Sequence, residues 1–156
     1  MRSMKLIGVR STVADEGLVA VLLEEGGPGM IAVPVTPREG LALSGVTNGL
    51  HLSWLGLLHR CVTATEGRVE GVCVNVGPDG ELLGSLELRA CSGSVQEVAC
   101  SPGEAVSVAA AADLRICVSE RLLAQQGVDL GEVSVHESMA KMRDQLKRAQ
   151  VDDFQP

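Results

Sequence analysis

Along residues 1–35 the apolar positions fall in short β-branched stretches broken by turn formers, a pattern that predicts strands rather than helices. Residues 4–13 (MKLIGVRSTV) and 18–25 (LVAVLLEE) read as two strands joined through polar Asp15, Glu16 and Gly17. GGPG at 26–29 then turns the chain into a third, MIAVPV at 30–35. After Thr36 the two-residue alternation stops. Leu41, Leu43, Val46 and Leu50 share a broad helical face there, interrupted by Gly45 and Gly49. The stretch 52–62, LSWLGLLHRCV, is apolar enough to be read as a second, buried helix with Gly67 as its stop.

The same pattern then recurs. RVEGVCVNV (68–76), a GPDG turn (77–80), ELLGSLELRA (81–90), an SGS turn (92–94) and VQEVAC (95–100) predict three more strands. AVSVAAAAD reads as a small-residue helix able to lie close to a sheet, RICVS (115–119) as a buried strand, and RLLAQQG (121–127) as a short helix with a glycine stop. Both halves have the order strand, strand, strand, helix, which points to an internal duplication. The expected fold is one α+β domain over residues 1–130, in which the duplicated unit forms a mixed β-sheet packed by helices. Residues 131–156 form a C-terminal helix and acidic tail in this reading. There Val135, Met139, Met142, Leu146 and Ala149 make a narrow apolar seam and Glu137 and Lys141 an i,i+4 pair. The helix over 131–150 is a candidate surface for its own domain or for a protein partner.

Each half joins its strands to its helix through the same four-residue pattern, Thr36-Pro37-Arg38-Glu39 and Ser101-Pro102-Gly103-Glu104. A Ser or Thr cap accepts from the N3 amide, a Glu at N3 reaches back to the cap amide, and proline suits the first helical position. Spacing favours that capping role. The duplication also sets Glu39 and Glu104 in equivalent places, where a cleft between halves would let paired carboxylates hold Mg²⁺ or Mn²⁺, or act as acid and base.

Composition narrows the picture. At 156 residues, 46% hydrophobic and 21% charged, the chain suits one globular domain. No apolar run reaches the roughly 20 residues of a membrane span, and MRSMKLIGVR lacks a signal-peptide core, so the expectation is a cytoplasmic protein with no membrane partner. The five cysteines, Cys61, Cys73, Cys91, Cys100 and Cys117, form no C-x-x-C pair and are expected to be buried free thiols. A net charge of −7, with Trp54 and Phe154 the only aromatics, is poor equipment for nucleic acid, which wants basic grooves and stacking platforms. His51 and His59 would diverge by about 80° on a straight helix and cannot share one metal. His136 is expected in solvent.

The order VAVLLEE, IAVPVTPREGLAL, the middle helix, RVEGVCVNV, ELLGSLEL and CSPGEAVSVAAAADLRICVSERLL resembles the bifunctional nuclease family of bacteria and plants, from about Met4 to Leu130. The terminal segment with VDDF is similar to the tail of actinobacterial members. The resemblance implies an α+β fold with a duplicated unit, phosphodiester hydrolysis of RNA and DNA, and self-association, with a dimer favoured. It implies Glu39 for the family's acidic residue after the third strand and His51 for the histidine of its Thr-His-Asp cluster, where Leu50 and Leu52 stand for the other two. In the family's Ser-Arg-Pro-Ser-Asp-Ala pattern, Cys100, Ser101, Gly103 and Glu104 replace serine, arginine, serine and aspartate, while Pro102 and Ala105 are kept. An arginine grips phosphate bidentately and a serine does not.

Three functional expectations follow. The first is a bifunctional-nuclease-type domain with hydrolysis weak or lost, whose candidate catalytic residues are Glu39, His51 and Glu104, with Glu39 and Glu104 as ligands for Mg or Mn. The second is a non-catalytic regulatory or protein-interaction module on the same scaffold. The third is a small-molecule enzyme using the cleft between repeats.

Overall fold

The computed structural model describes residues 1–12, 17–45 and 54–131. His51, His136 and the 131–150 helix expectation beyond Gly131 lie outside the described residues. The chain runs β1 (Arg2–Ser11), β2 (Leu18–Glu24), β3 (Gly29–Val35), α1 (Pro37–Gly45), α2 (Trp54–Ala64), β4 (Arg68–Val76), β5 (Leu82–Arg89), β6 (Val95–Cys100), α3 (Pro102–Ala112), β7 (Ile116–Val118), α4 (Glu120–Gln126) and β8 (Val128–Asp129). The eight strands form one sheet in the order β6-β5-β4-β7-β1-β2-β3-β8. The fold is therefore α+β with a mixed sheet, as the hydrophobic pattern predicts. β4 and β7 are its parallel pair and the other pairings are antiparallel.

The duplication is visible in the backbone. β1 and β4 open the two halves, and each carries a bulge just before a glycine, between Leu6 and Gly8 and between Val69 and Gly71. Bulges raise local twist, so both central strands coil at matching positions. β7 breaks the symmetry by entering between the halves, with Val72, Cys73 and Val74 opposite Ile116, Cys117 and Val118 on one side and Arg2, Ser3 and Met4 on the other.

The sheet buries one face around α3. Ile31, Val33 and Val35 alternate with exposed Ala32 and Pro34, and Val72, Val74, Ile116, Val118, Met4 and Leu86 continue the same face. In α3 the consecutive residues Ala105, Val106, Ser107, Val108 and Ala109 are all buried, so the helix is covered all round. It packs on β5, β4 and β3 and, on its other side, on α1 and α2. In a flat sheet β5 and β3 would stand about 24 Å apart, more than twice a helix diameter, so the sheet has to wrap around α3.

Small size is what allows this. A Cβ on Gly84 of β5 would lie 2.5 Å from the Ser101 carbonyl oxygen, so that glycine seats the start of α3 on the sheet. Ser107 is fully buried and its hydroxyl has no hydrogen-bond partner, so the helix carries an orphan polar group inside the core.

Two expectations are corrected. α2 is a surface helix: Leu55 is buried and Leu58 and Trp54 pack on the core, but Leu57 is 56% exposed. Apolar content there outruns what one stripe can bury. The cysteines are not buried either; Cys61 and Cys91 are exposed, on the outer side of α2 and in the β5–β6 turn, and Cys73, Cys100 and Cys117 are half-buried. β8 was not predicted. It pairs Gly29 and Met30 with Asp129 and Val128 and ties the chain after α4 to β3.

Gly84→Ala should cost about 1–3 kcal/mol, the usual penalty for overpacking, whereas Ser107→Ala should be neutral or stabilise by about 1 kcal/mol, because it removes an unpaired hydroxyl at little change in volume. Urea unfolding of the two variants measures both. Equal destabilisation by each would contradict the packing described for α3.

Candidate functional site

The two helix starts meet. β3 delivers Thr36 to the N-cap of α1, where the Glu39 N–H donates to Thr36 Oγ1 (3.2 Å) and the Thr36 N–H donates to Glu39 Oε2 (2.6 Å). β6 delivers Ser101 to the N-cap of α3, where the Glu104 N–H donates to Ser101 Oγ (3.1 Å) and the Ser101 N–H donates to Glu104 Oε2 (2.8 Å). Both are complete capping boxes, as the spacing predicts.

A third contact links them. Ser101 Oγ donates to Glu39 Oε1 at 3.1 Å, across 62 positions of sequence. Thr36 Oγ1 donates to Glu39 Oε2 at 2.9 Å. The Glu39 carboxylate therefore accepts three hydrogen bonds while only 7% exposed, and a Cβ on Gly103 would lie 2.3 Å from its Oε2. Glu104 is exposed. Ser101 thus touches both predicted carboxylates, one through its hydroxyl and the other through its amide.

This arrangement limits the chemistry. An ionised carboxylate has about four lone-pair positions, and Oε2 of Glu39 has two donors on it already. A general base must present a lone pair to the water or hydroxyl it deprotonates. Glu39 has little to present. The N-termini of α1 and α3, where backbone amides and the helix dipole would favour a phosphate, are filled by the protein's own carboxylates, which repel one. Glu104 alone keeps an outward-facing oxygen. Next to it Cys100 is pushed up to about 11, by burial first and then by the Glu104 charge, so its thiol stays protonated and is no nucleophile at neutral pH.

His51, the third predicted catalytic residue, lies outside the described residues, and His59 is exposed on α2. Among the described residues no group of three or more His, Cys, Asp or Glu is placed to hold a metal ion. The arginines at the far end of β4 and β5 are matched to acid: Arg68 and Arg89 both bond Glu70 Oε1, at 2.8 and 2.5 Å, with Glu70 thrown outward by the bulge. The Arg89 hydrogen bond, with Arg68 beside it, holds the Glu70 carboxyl below its usual range.

Compared with protein-family models and with curated proteins, the chain matches none. Sequence reasoning found the two boxes through their repeated spacing. It missed the Ser101–Glu39 bond and the glycine against Glu39, because a contact between halves depends on how the sheet wraps, which four-residue spacing does not encode.

Ser101→Ala should cost about 1–2 kcal/mol as a lost cap, and Glu39→Gln should lower stability too, but the double variant should fall short of the sum by roughly 0.5–3 kcal/mol because the two residues share one bond. A double-mutant cycle by chemical denaturation measures the coupling. Strict additivity would mean that the halves are not joined there.

Proposed function

We propose that this chain is a non-catalytic regulatory or protein-interaction domain built on a bifunctional-nuclease-type scaffold. The observation that carries this reading is the saturation of Glu39: buried, bonded by three donors and pressed on by Gly103, it works as a latch between the two halves. The acidic net charge, the Glu70-matched arginines and the serine at position 101 in place of an arginine support the same reading. In this proposal the protein works in the cytoplasm; no helix among the described residues is long and apolar enough to cross a membrane.

The partner surface in this proposal is the free edge of β6, and the partner is a second copy of the chain. β6 ends the sheet and is exposed at Val95, Gln96, Glu97, Val98 and Ala99, with Val95 49% and Val98 41% exposed. Natural edges are usually blunted by proline, lysine or a bulge, and β6 has none of these, pairing with β5 in unbroken register. Antiparallel pairing of two β6 strands centred on Val98 sets valine against valine and Glu97 against Ala99, with no like charges directly opposed.

Labelled single-stranded RNA and DNA incubated with the purified chain and Mg²⁺ or Mn²⁺ should stay intact, or be cut equally by wild type and Glu104→Ala. Cleavage that a chelator abolishes and Glu104→Ala removes would restore the hydrolytic reading. Sedimentation velocity should show a dimer that Val98→Lys converts to monomer, because the substitution sets two lysines face to face. A wild-type chain that stays monomeric as concentration rises would remove β6 as the self-association edge.

A further inference from the structure

The second face of the sheet, away from α3, carries a row of small polar and sulfur side chains at its centre. Four adjacent strands contribute Ser85 (β5), Cys73 (β4), Cys117 (β7) and Ser3 (β1), each the direct partner of the next. Cys73 lies between Val72 and Val74, which point into the core, so the whole row faces the opposite way. Ser3 is occupied, its hydroxyl donating to Glu25. Ser85 is not. It is only 7% exposed and its hydroxyl has no partner, although it stands directly across from Cys73.

A buried hydroxyl without an acceptor costs about 1–3 kcal/mol, so its neighbourhood should offer an acceptor in some state of the protein. Cys73 stands directly opposite, and its sulfur would be a stronger acceptor as a thiolate than as a thiol. A cation between the Cys73 and Cys117 sulfurs would displace the protons and leave anionic sulfur beside Ser85.

Geometry selects the cation. Cys73 and Cys117 stand directly opposite one another on adjacent parallel strands, their thiols within hydrogen-bonding reach, and β7 is held in place on both sides by β1 and β4. Two thiolates without a third or fourth ligand suit a soft monovalent ion rather than tetrahedral zinc. We propose that Cys73 and Cys117 form a two-coordinate site for a soft d¹⁰ cation of the Cu(I) class, with Ser85 as the hydrogen-bond donor to the Cys73 sulfur. For each Cu(I) taken up, two S–H bonds break, two sulfur–copper bonds form and two protons pass to solvent, with no change of oxidation state.

The test titrates the reduced full-length chain, carrying Cys61→Ser and Cys91→Ser to remove the exposed thiols, with Cu(I) against a chromogenic Cu(I) chelator under nitrogen. The expected result is one Cu(I) per chain, held at least about tenfold more weakly after Cys117→Ser and about tenfold more weakly after Ser85→Ala, the usual range for loss of an outer hydrogen bond. Unchanged competition after Cys117→Ser overturns the site. Wild type gives a second readout that needs no core variant: Cu(I) should shield Cys73 and Cys117 from iodoacetamide while Cys61 and Cys91 are alkylated at their metal-free rates. Equal alkylation of Cys73 and Cys117 with and without Cu(I) also overturns it.

Discussion

The structure depends on the burial of α3. A helix whose successive residues Ala105 to Ala109 are all excluded from water has no solvent-facing stripe, so one flat sheet cannot cover it. Its surroundings follow from that constraint. The bulges before Gly8 and Gly71 add twist where the sheet must bend, and β7 fills the seam between the two halves. Gly84 yields the space that the first turn of α3 takes up, and α1 closes the remaining side. Burial of this kind tolerates little polar surface, and Ser107 is the exception inside α3, its hydroxyl enclosed without a hydrogen-bond partner.

The same constraint determines what becomes of the two carboxylates. Bringing α3 inside the curled sheet sets its N-cap against the N-cap of α1, and Ser101 then has an acceptor within reach in Glu39. The bond uses up the buried carboxylate that a hydrolytic centre would need free, while its counterpart Glu104 stays at the surface with its charge next to Cys100. Equivalent residues in a duplicated sequence have thus been given unequal environments. A pair of carboxylates with distinct environments is the usual starting point for acid–base chemistry, but here the buried member serves as a hydrogen-bond hub and the exposed one as a helix cap.

Much of the architecture was legible in the sequence. Alternation and turn residues placed β1 to β5, turn signals on either side of a short valine-containing run placed β6, and the [Ser/Thr]-Pro-x-Glu repeats marked the starts of α1 and α3 because capping needs those residue types at that spacing. The bulges had a visible signature as well, in Leu6-Ile7-Gly8-Val9 and Val69-Glu70-Gly71-Val72, which match around the glycine. Other features were not legible. Ile116, Cys117 and Val118 announce a buried strand but say nothing about which strands flank it, and only that placement joins the halves. The exposure of Leu57 failed prediction because apolar content does not give the phase of a helix against its support. The cysteines failed for a related reason: one-sided burial puts Cys73 and Cys117 on the opposite face from their valine neighbours, half in reach of solvent.

That last failure separates the two faces of the sheet by the kind of chemistry each can carry. The inner face is spent on enclosing α3, and the polar groups at its rim are locked into caps, so any change of state there has to break the latch between halves. The outer face carries no such obligation at its centre. Cys73 and Cys117 can lose protons and gain a ligand without moving α3, because their strand neighbours Val72, Val74, Ile116 and Val118 hold the inner packing in either state. β7 contributes to both faces at once and is bonded to both halves, so an ion bridging Cys73 and Cys117 would tighten the one seam that the duplication left to a three-residue strand.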